Sequence, residues 1–412
     1  MNNEHEKALW LADEAGHILL ENGAEISRVE ETITRIAESY DVHDESSIVL
    51  SNSIITTGKH YARALYIPIR GMQLSRVVEV NQLSRDLESS RMSFDELERR
   101  LQAIRVAKGK PWWEVVLGIA FGVSSFCILF GGSMRDAAAT FVCGLLLGAF
   151  VTFVGSRTSR IFSNLFGGMV GGLLCILSLA LGFGDHLPNM IIGTIIALVP
   201  GVSFTNGMRD LANEDYIAGA TRLMDAFLVF LCIALGVMLA FVFERLCSGR
   251  LMQLVAPTQD AVTSAWYIQL PAAFIGTLGF SALFGAPRKY YFECGLTGMM
   301  GWGVYLLTLT AGPQHVVGAC FLGALTVTAM SGVFAVLRKC PTTVFLICGI
   351  IPLVPGGGIF WTAYYLVGNQ LRLAATTGFT ALKVTVAIAG GIILFGAIVG
   401  RLYKRMNEKS VR

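Results

Sequence analysis

From Trp112 onward the chain runs in apolar blocks of bilayer length, separated by short polar joints. No other feature constrains the fold as strongly. A hydrocarbon core about 30 Å thick takes about 20 apolar residues to cross as a helix. Lipid offers no partner to a free backbone amide, so each crossing must be helical or shielded by protein. Composition agrees: 54% of residues are hydrophobic and 15% charged, where a soluble globular chain carries roughly a quarter charged. Before Trp112 the sequence is mixed and rich in charge. The reading is a mainly α membrane protein of about ten transmembrane helices behind a small α+β domain. Its expected divisions are 1–110, 111–261 and 262–412.

The spans fall near 114–132, 137–155, 165–184, 188–204, 220–243, 263–285, 292–311, 316–337, 342–363 and 380–401. The N-terminus, MNNEHEKALWLADEAG, has no apolar signal core, so the first domain is expected to stay in the cytoplasm. That orientation gives the inner joints Arg157, Arg160, Arg209, Arg222, Arg288, Lys289, Arg338 and Lys339. The outer joints then carry only Arg135, Arg245, Arg250 and Arg372. This bias, with a basic C-terminal tail, predicts both termini on the inner side of a plasma or inner membrane.

Leu198-Val199-Pro200-Gly201 recurs as Leu353-Val354-Pro355-Gly356, and the same offset aligns Ala220-Thr221 with Ala375-Thr376. A similar shift brings Leu129-Phe130-Gly131 near Leu283-Phe284-Gly285. Because about five spans separate the copies, the second is expected upside down, a 5+5 inverted repeat of the kind secondary transporters use. Proline followed by glycine in mid-membrane removes an amide donor and loosens the backbone. The freed carbonyls then need protein, water or solute. Ser203, Thr205 and Asn206 follow the first break; Gly356, Gly357, Gly358 and Trp361 follow the second. These residues, with Pro200, Gly201 and Pro355, are candidate solute contacts, or else the lining of two structural kinks.

Charges inside membrane spans are costly and informative. Asp225 and Glu293 are candidate proton-coupling carboxylates. Lys383 and Asp136 read equally well as interfacial anchors, and His186 and His315 as solvated loop residues. Asp210 and Asp215, with Arg209 and Arg222, form either an inner gate of ion pairs or an ordinary solvated loop. No GxxxxGK[ST] segment and no hydrolase or HExxH arrangement occurs, so the chain does not read as an ATP-driven pump or an enzyme. No cofactor or metal is implied. The nine cysteines are scattered through apolar blocks and read as buried thiols. A net charge of +3 without a basic stripe does not suggest nucleic acid. A homo-oligomer is left open.

The first domain reads as helices near 4–22 and 27–40, strands near 47–57 and 61–69, and helices near 74–89 and 93–107. Ile26, Val29, Ile33 and Ile36 form an apolar stripe, with Glu25, Arg28, Glu31 and Arg35 on a solvated face. Ser93-Phe94-Asp95-Glu96 is a helix start of the capping-box type.

LLENGAEISRVEETITRIAESY (19–40), RGMQLSRVVEVNQLSRDLESSRMSFDELERRLQAI (70–104) and LVPGVSFTNGMRDLANEDYIAGATRLMDA (198–226) resemble the threonine/serine exporter family. LVPGGGIFWTAYYLVGN (353–369) is similar to that family's smaller companion domain, here in the same chain. The resemblance spans nearly the whole sequence. It implies export of small polar metabolites, threonine and serine first, driven by protons. Two-chain members associated with succinate make a dicarboxylate the alternative. The matching positions are Pro200, Gly201, Thr205, Asn206, Asp210, Asp215, Arg222 and Asp225. A channel or membrane-embedded sensor is the rival from another class, and it leaves the repeat unexplained.

Overall fold

The computed structural model describes residues 2–68, 71–90, 92–212, 214–248, 265–310 and 316–410. Arg250, His315 and the expected boundary at 261/262 lie outside the described residues, as do the side chains of Thr205 and Arg209.

Seven elements precede the membrane part: α1 (Asn2–Glu21), α2 (Ile26–Glu38), β1 (Ser46–Val49), β2 (Ser53–Gly58), β3 (Tyr61–Tyr66), α3 (Leu74–Ser89) and α4 (Phe94–Val106). The strands form an antiparallel sheet in the order β1-β2-β3, with Ile48 opposite Ile55 and Ile55 opposite Ala64. The single strand expected over 47–57 is therefore a hairpin. Leu50 N–H bonds the Ser53 carbonyl at 2.8 Å, and Ser51-Asn52 supplies the turn chemistry. The stripe Ile26, Val29, Ile33 and Ile36 is buried against Leu11, Ile18, Val77 and Leu97. Ser93 Oγ accepts from Glu96 N–H at 3.3 Å and starts α4. The polar face of α2 is not wholly solvated: Glu25 is 6% exposed and accepts from Thr343 Oγ1 at 2.6 Å.

The remainder is helical: α5 (Trp112–Leu129), α6 (Met134–Phe153), α7 (Arg160–Ala180), α8 (Leu187–Ile195), α9 (Gly201–Ala212), α10 (Tyr216–Ser248), α11 (Trp266–Leu283), α12 (Tyr291–Leu309), α13 (Val316–Arg338), α14 (Thr342–Ile350), α15 (Gly356–Val367) and α16 (Leu371–Ser410). Seven of these are long and apolar enough to cross a membrane; α14 with α15, bent by 55° at the break, makes an eighth. The expected count of about ten exceeds this for physical reasons. The α12 helix is diluted by Glu293, glycine and threonine, while α8 and α9 are short helices of 9 and 12 residues.

Packing follows a paired pattern. The α5 helix lies on α6, α6 on α7, α7 on α10 and α9 on α10; likewise α11 lies on α12, α12 on α13, α13 on α16 and α15 on α16. The short α8 touches α5, α6 and α7, as α14 touches α11, α12 and α13. The two sets are joined where α5 crosses α11, where α9 meets α16 and where α15 meets α10. At the α5–α11 crossing a Cβ on Gly118 would lie 2.6 Å from the Gly279 carbonyl oxygen, so only glycine permits that backbone approach.

The N-terminal elements sit on one face of the helices and touch both sets. Ala218 belongs to their apolar core, and Thr221 Oγ1 donates to Ser51 Oγ at 3.0 Å. Leu74 and Ser75 N–H bond the carbonyls of Phe284 and Gly285, each at 2.9 Å. Leu74 itself packs with Tyr290 and Phe345.

Candidate functional site

The two LVPG segments break their spans in the same way. Gly201 N–H turns back to the Val199 carbonyl at 2.9 Å, and Phe204 N–H starts α9 on the Pro200 carbonyl at 3.0 Å. Gly356 N–H turns to Val354 at 2.7 Å, and Ile359 N–H starts α15 on Pro355 at 3.0 Å. Proline has no amide N–H to offer, so each segment passes through one tight turn before the helix resumes.

These breaks also pack on each other. A Cβ on Gly201 would meet Val354 Cγ1 at 3.3 Å; one on Gly356 would meet Ile196 Cδ1 at 2.9 Å and Val199 Cγ1 at 3.2 Å. A Cβ on Gly357 would approach Ile192 and Phe130. Pro200, Gly201, Pro355, Gly356 and Gly357 are thus brought to one place. Ser203 is half-buried and Asn206 buried on α9. Trp361 is buried on α15, its ring stacked on Tyr365 at 5.6 Å and set edge-on to Tyr364 at 5.5 Å.

The charged candidates disperse. Arg222 Nη1 and Asp210 Oδ2 form an ion pair at 2.8 Å with both side chains buried, clasping α9 to α10. Asp215 is exposed; its N–H bonds the Asp210 carbonyl and its carbonyl accepts from Gly219 N–H, each at 2.9 Å. It helps to start α10 and takes no part in the Asp210–Arg222 clasp. Asp225 is held bidentately by Arg160 Nη1 at 2.9 and 2.7 Å, about half exposed and directed toward α7. Glu293 is 4% exposed and accepts from Arg338 Nε at 2.6 Å. Its second oxygen is buried without a hydrogen-bond partner among the described residues.

Sequence reasoning missed two clusters. Glu114 accepts from Arg288 Nε at 3.2 and 3.0 Å and from the Tyr291 hydroxyl at 2.7 Å, with Lys110 at 3.5 Å. Burial pulls the Lys110 ammonium below its ordinary value, against the raising effect of Glu114. Asp136 is fully buried and accepts from the N–H groups of Ser133, Asp185 and His186 at 2.8, 2.6 and 2.9 Å. His186 Nδ1 lies 2.8 Å from its Oδ2; Asp136 is thus a buried, multiply bonded group and not a free anchor, while His186 is the exposed loop residue expected, with its ring on Asp136. Local sequence offers only the Ser133-x-x-Asp136 capping box and the Lys110–Glu114 spacing; the His186 and Tyr291 partners lie 50 and 177 residues away.

Seven apolar helices of membrane length and one bent pair suggest a multi-pass membrane protein, and the names of its family and relatives indicate a transporter rather than an enzyme. The chain belongs to the threonine/serine exporter family: the ThrE family model matches residues 11–244, and the ThrE_2 model, described as "Threonine/Serine exporter, ThrE", matches 269–398. The chain is similar to the threonine/serine exporter of Corynebacterium glutamicum, 23% identical over 95% of this chain and 82% of that protein. It is also similar to a Mycobacterium tuberculosis protein named "Probable threonine/serine exporter", 21% identical over 94% and 75%. A Klebsiella aerogenes protein named "Probable succinate transporter subunit YjjP" matches 54% of this chain and 88% of its own length at 25% identity. No solved structure matches.

Proposed function

We propose that this chain is a secondary active exporter of small polar amino acids, threonine or serine, coupled to protons and alternating about its two LVPG breaks. The carrying observation is the reciprocal packing of Gly201 on Val354 and of Gly356 on Val199. In this reading about ten spans form a 5+5 inverted repeat, with division near 261/262, in a plasma or inner membrane. The matched helix contacts of the two sets support it. The domain 1–110 and both termini are cytoplasmic. A solute carboxylate sits at the positive starts of α9 and α15. Ser203, Thr205 and Asn206 supply polar contacts, and Pro355, Gly356, Gly357 and Trp361 a flexible aromatic wall. Asp210 and Arg222 close the cytoplasmic end, with Asp215 and Asp225 flanking them. Glu293, buried with one unpartnered oxygen, suits proton coupling better than the half-exposed Asp225.

Relatives named as succinate transporter subunits favour a second reading, in which a dicarboxylate takes the same site. Counterflow in vesicles of purified protein decides between them. Labelled threonine or serine is expected to accumulate against unlabelled solute and to respond to a pH gradient. Accumulation of succinate alone selects the second reading, and exchange of none of the three rejects both.

A further inference from the structure

We infer that Asp136–His186 and Glu293–Arg338 are matched latches, one at each end of the helix bundle, that release alternately during transport. The inference rests on the transport reading above and adds residues to it. Asp136 is the third residue of α6 and Glu293 the third of α12. Their side chains are 0% and 6% exposed, whereas those of His186 and Arg338 are 60% and 54% exposed. Each carboxylate is followed one turn later by a fully buried threonine that bonds its carbonyl: Thr140 to Asp136 and Thr297 to Glu293, both at 2.7 Å. Each is preceded by Leu-Phe-Gly with a left-handed glycine, Gly131 at φ 89° and Gly285 at φ 63°. His186 immediately precedes α8, and Arg338 ends α13, just before α14. The first pair therefore ties α6 to the residue that leads into α8, and the second ties α12 to the end of α13, four residues before α14.

Chain direction puts the pairs at opposite ends. The N-terminal elements bond Gly285 and Thr343, so Glu293 lies at their end of the bundle. The α5 helix leads away from that end, and Asp136 lies beyond its far terminus. Helix capping does not account for both carboxylates. Asp136 closes a capping box with Ser133, but α12 begins without a side-chain cap bond, and Glu293 is buried there against a guanidinium. A buried carboxylate parted from its cation is costly. A mouth therefore opens only if water reaches the carboxylate as the exposed partner swings away.

The surroundings differ. Around His186 stand Asp136, the Arg135–Asp185 pair at 3.1 Å and, on α5, the Cys127 thiol beside Asp136. Asp136 also accepts from three backbone N–H groups, which remain when the histidine swings away.

Native cysteines provide the test. Cys127 lies under the first latch and Cys294 beside Glu293, and both are fully buried. In sealed vesicles of full-length protein, each is kept as the sole cysteine and labelled from either side with an impermeant maleimide. His186→Gln is expected to raise Cys127 labelling about tenfold from the far side only. Arg338→Gln is expected to raise Cys294 labelling from the opposite side only. Asp136→Asn and Glu293→Gln repeat the comparison from the carboxylate side. Equal labelling from both sides, or none, overturns the latches. Sided labelling in a protein that exchanges neither amino acids nor succinate leaves the latches standing and sinks the transport reading instead.

Discussion

The two breaks share a backbone and differ in almost every side chain around it. After Pro200-Gly201 comes a helix carrying Ser203, Asn206 and Asp210, clasped to α10 by the buried Asp210–Arg222 ion pair at 2.8 Å. After Pro355-Gly356 comes a helix of glycines and aromatic rings, clasped to α16 by Thr362 Oγ1 and Thr377 Oγ1 at 3.2 Å. Thr377 occupies the place that Arg222 holds in the first copy. The two turns bend the chain alike, while the side chains around them differ in chemistry. One clasp is costly to break and polar, the other cheap and neutral, so the halves are expected to differ in ease of movement.

Substitutions sharpen that contrast. Asp210→Ala leaves the Arg222 guanidinium buried without its carboxylate, at a cost of about 3–5 kcal/mol; a large fall in melting temperature in detergent and loss of counterflow are expected. Gly356→Val forces a side chain into a space where Cβ alone already lies 2.9 Å from Ile196, costing about 1–3 kcal/mol. Gly201→Val, at 3.3 Å from Val354, should cost less, and the reverse order of melting points would remove the asymmetry argued here. Thr377→Ala removes one hydrogen bond of the second clasp, worth about 1 kcal/mol, and should leave counterflow measurable. Arg160→Ala breaks only the half-exposed pair with Asp225, worth about 0–1 kcal/mol; substantial unfolding would show that Asp225 matters more than its exposure indicates.

The smallest effect is one of pH. Burial raises the Glu30 carboxyl, and Asp215 at the start of α10 raises it further, against the Val49 N–H bond. A raised acid favours the folded, docked state when protonated. Its contribution is fully present below the ordinary glutamate pKa of about 4.3 and is lost as pH rises through the raised value. Glu30→Gln should flatten that part of the stability profile, measured as melting temperature against pH.

Much of this architecture was legible in the sequence because bilayer length and proline-glycine pairs are local signals. The helices of the membrane part lie close to the expected spans, and the stripe on α2 is buried as its spacing requires. What the sequence could not give was partnership. Asp225 read as an intramembrane carboxylate and Asp210 as a gate or loop residue, yet Asp225 meets Arg160 near the surface and Asp210 meets Arg222 in the interior. His186 is the loop residue it looked like, but its partner Asp136 lies 50 residues away. The count of spans was hardest of all, since α8 and α9 are each too short to cross alone and α12 is diluted by Glu293, glycine and threonine.

The bond between Glu25 and Thr343 joins residues 318 positions apart, which bears on how the molecule is made. At about 5–20 residues per second, the first domain is complete for roughly 12 to 47 s before Thr343 is synthesised. During that interval Leu74 lacks its cover of Tyr290 and Phe345, and Glu25 lacks its hydroxyl partner. The domain therefore waits with an unfinished apolar edge until the last spans arrive. Completing that seam is a built-in sign that the second half of the protein has been inserted.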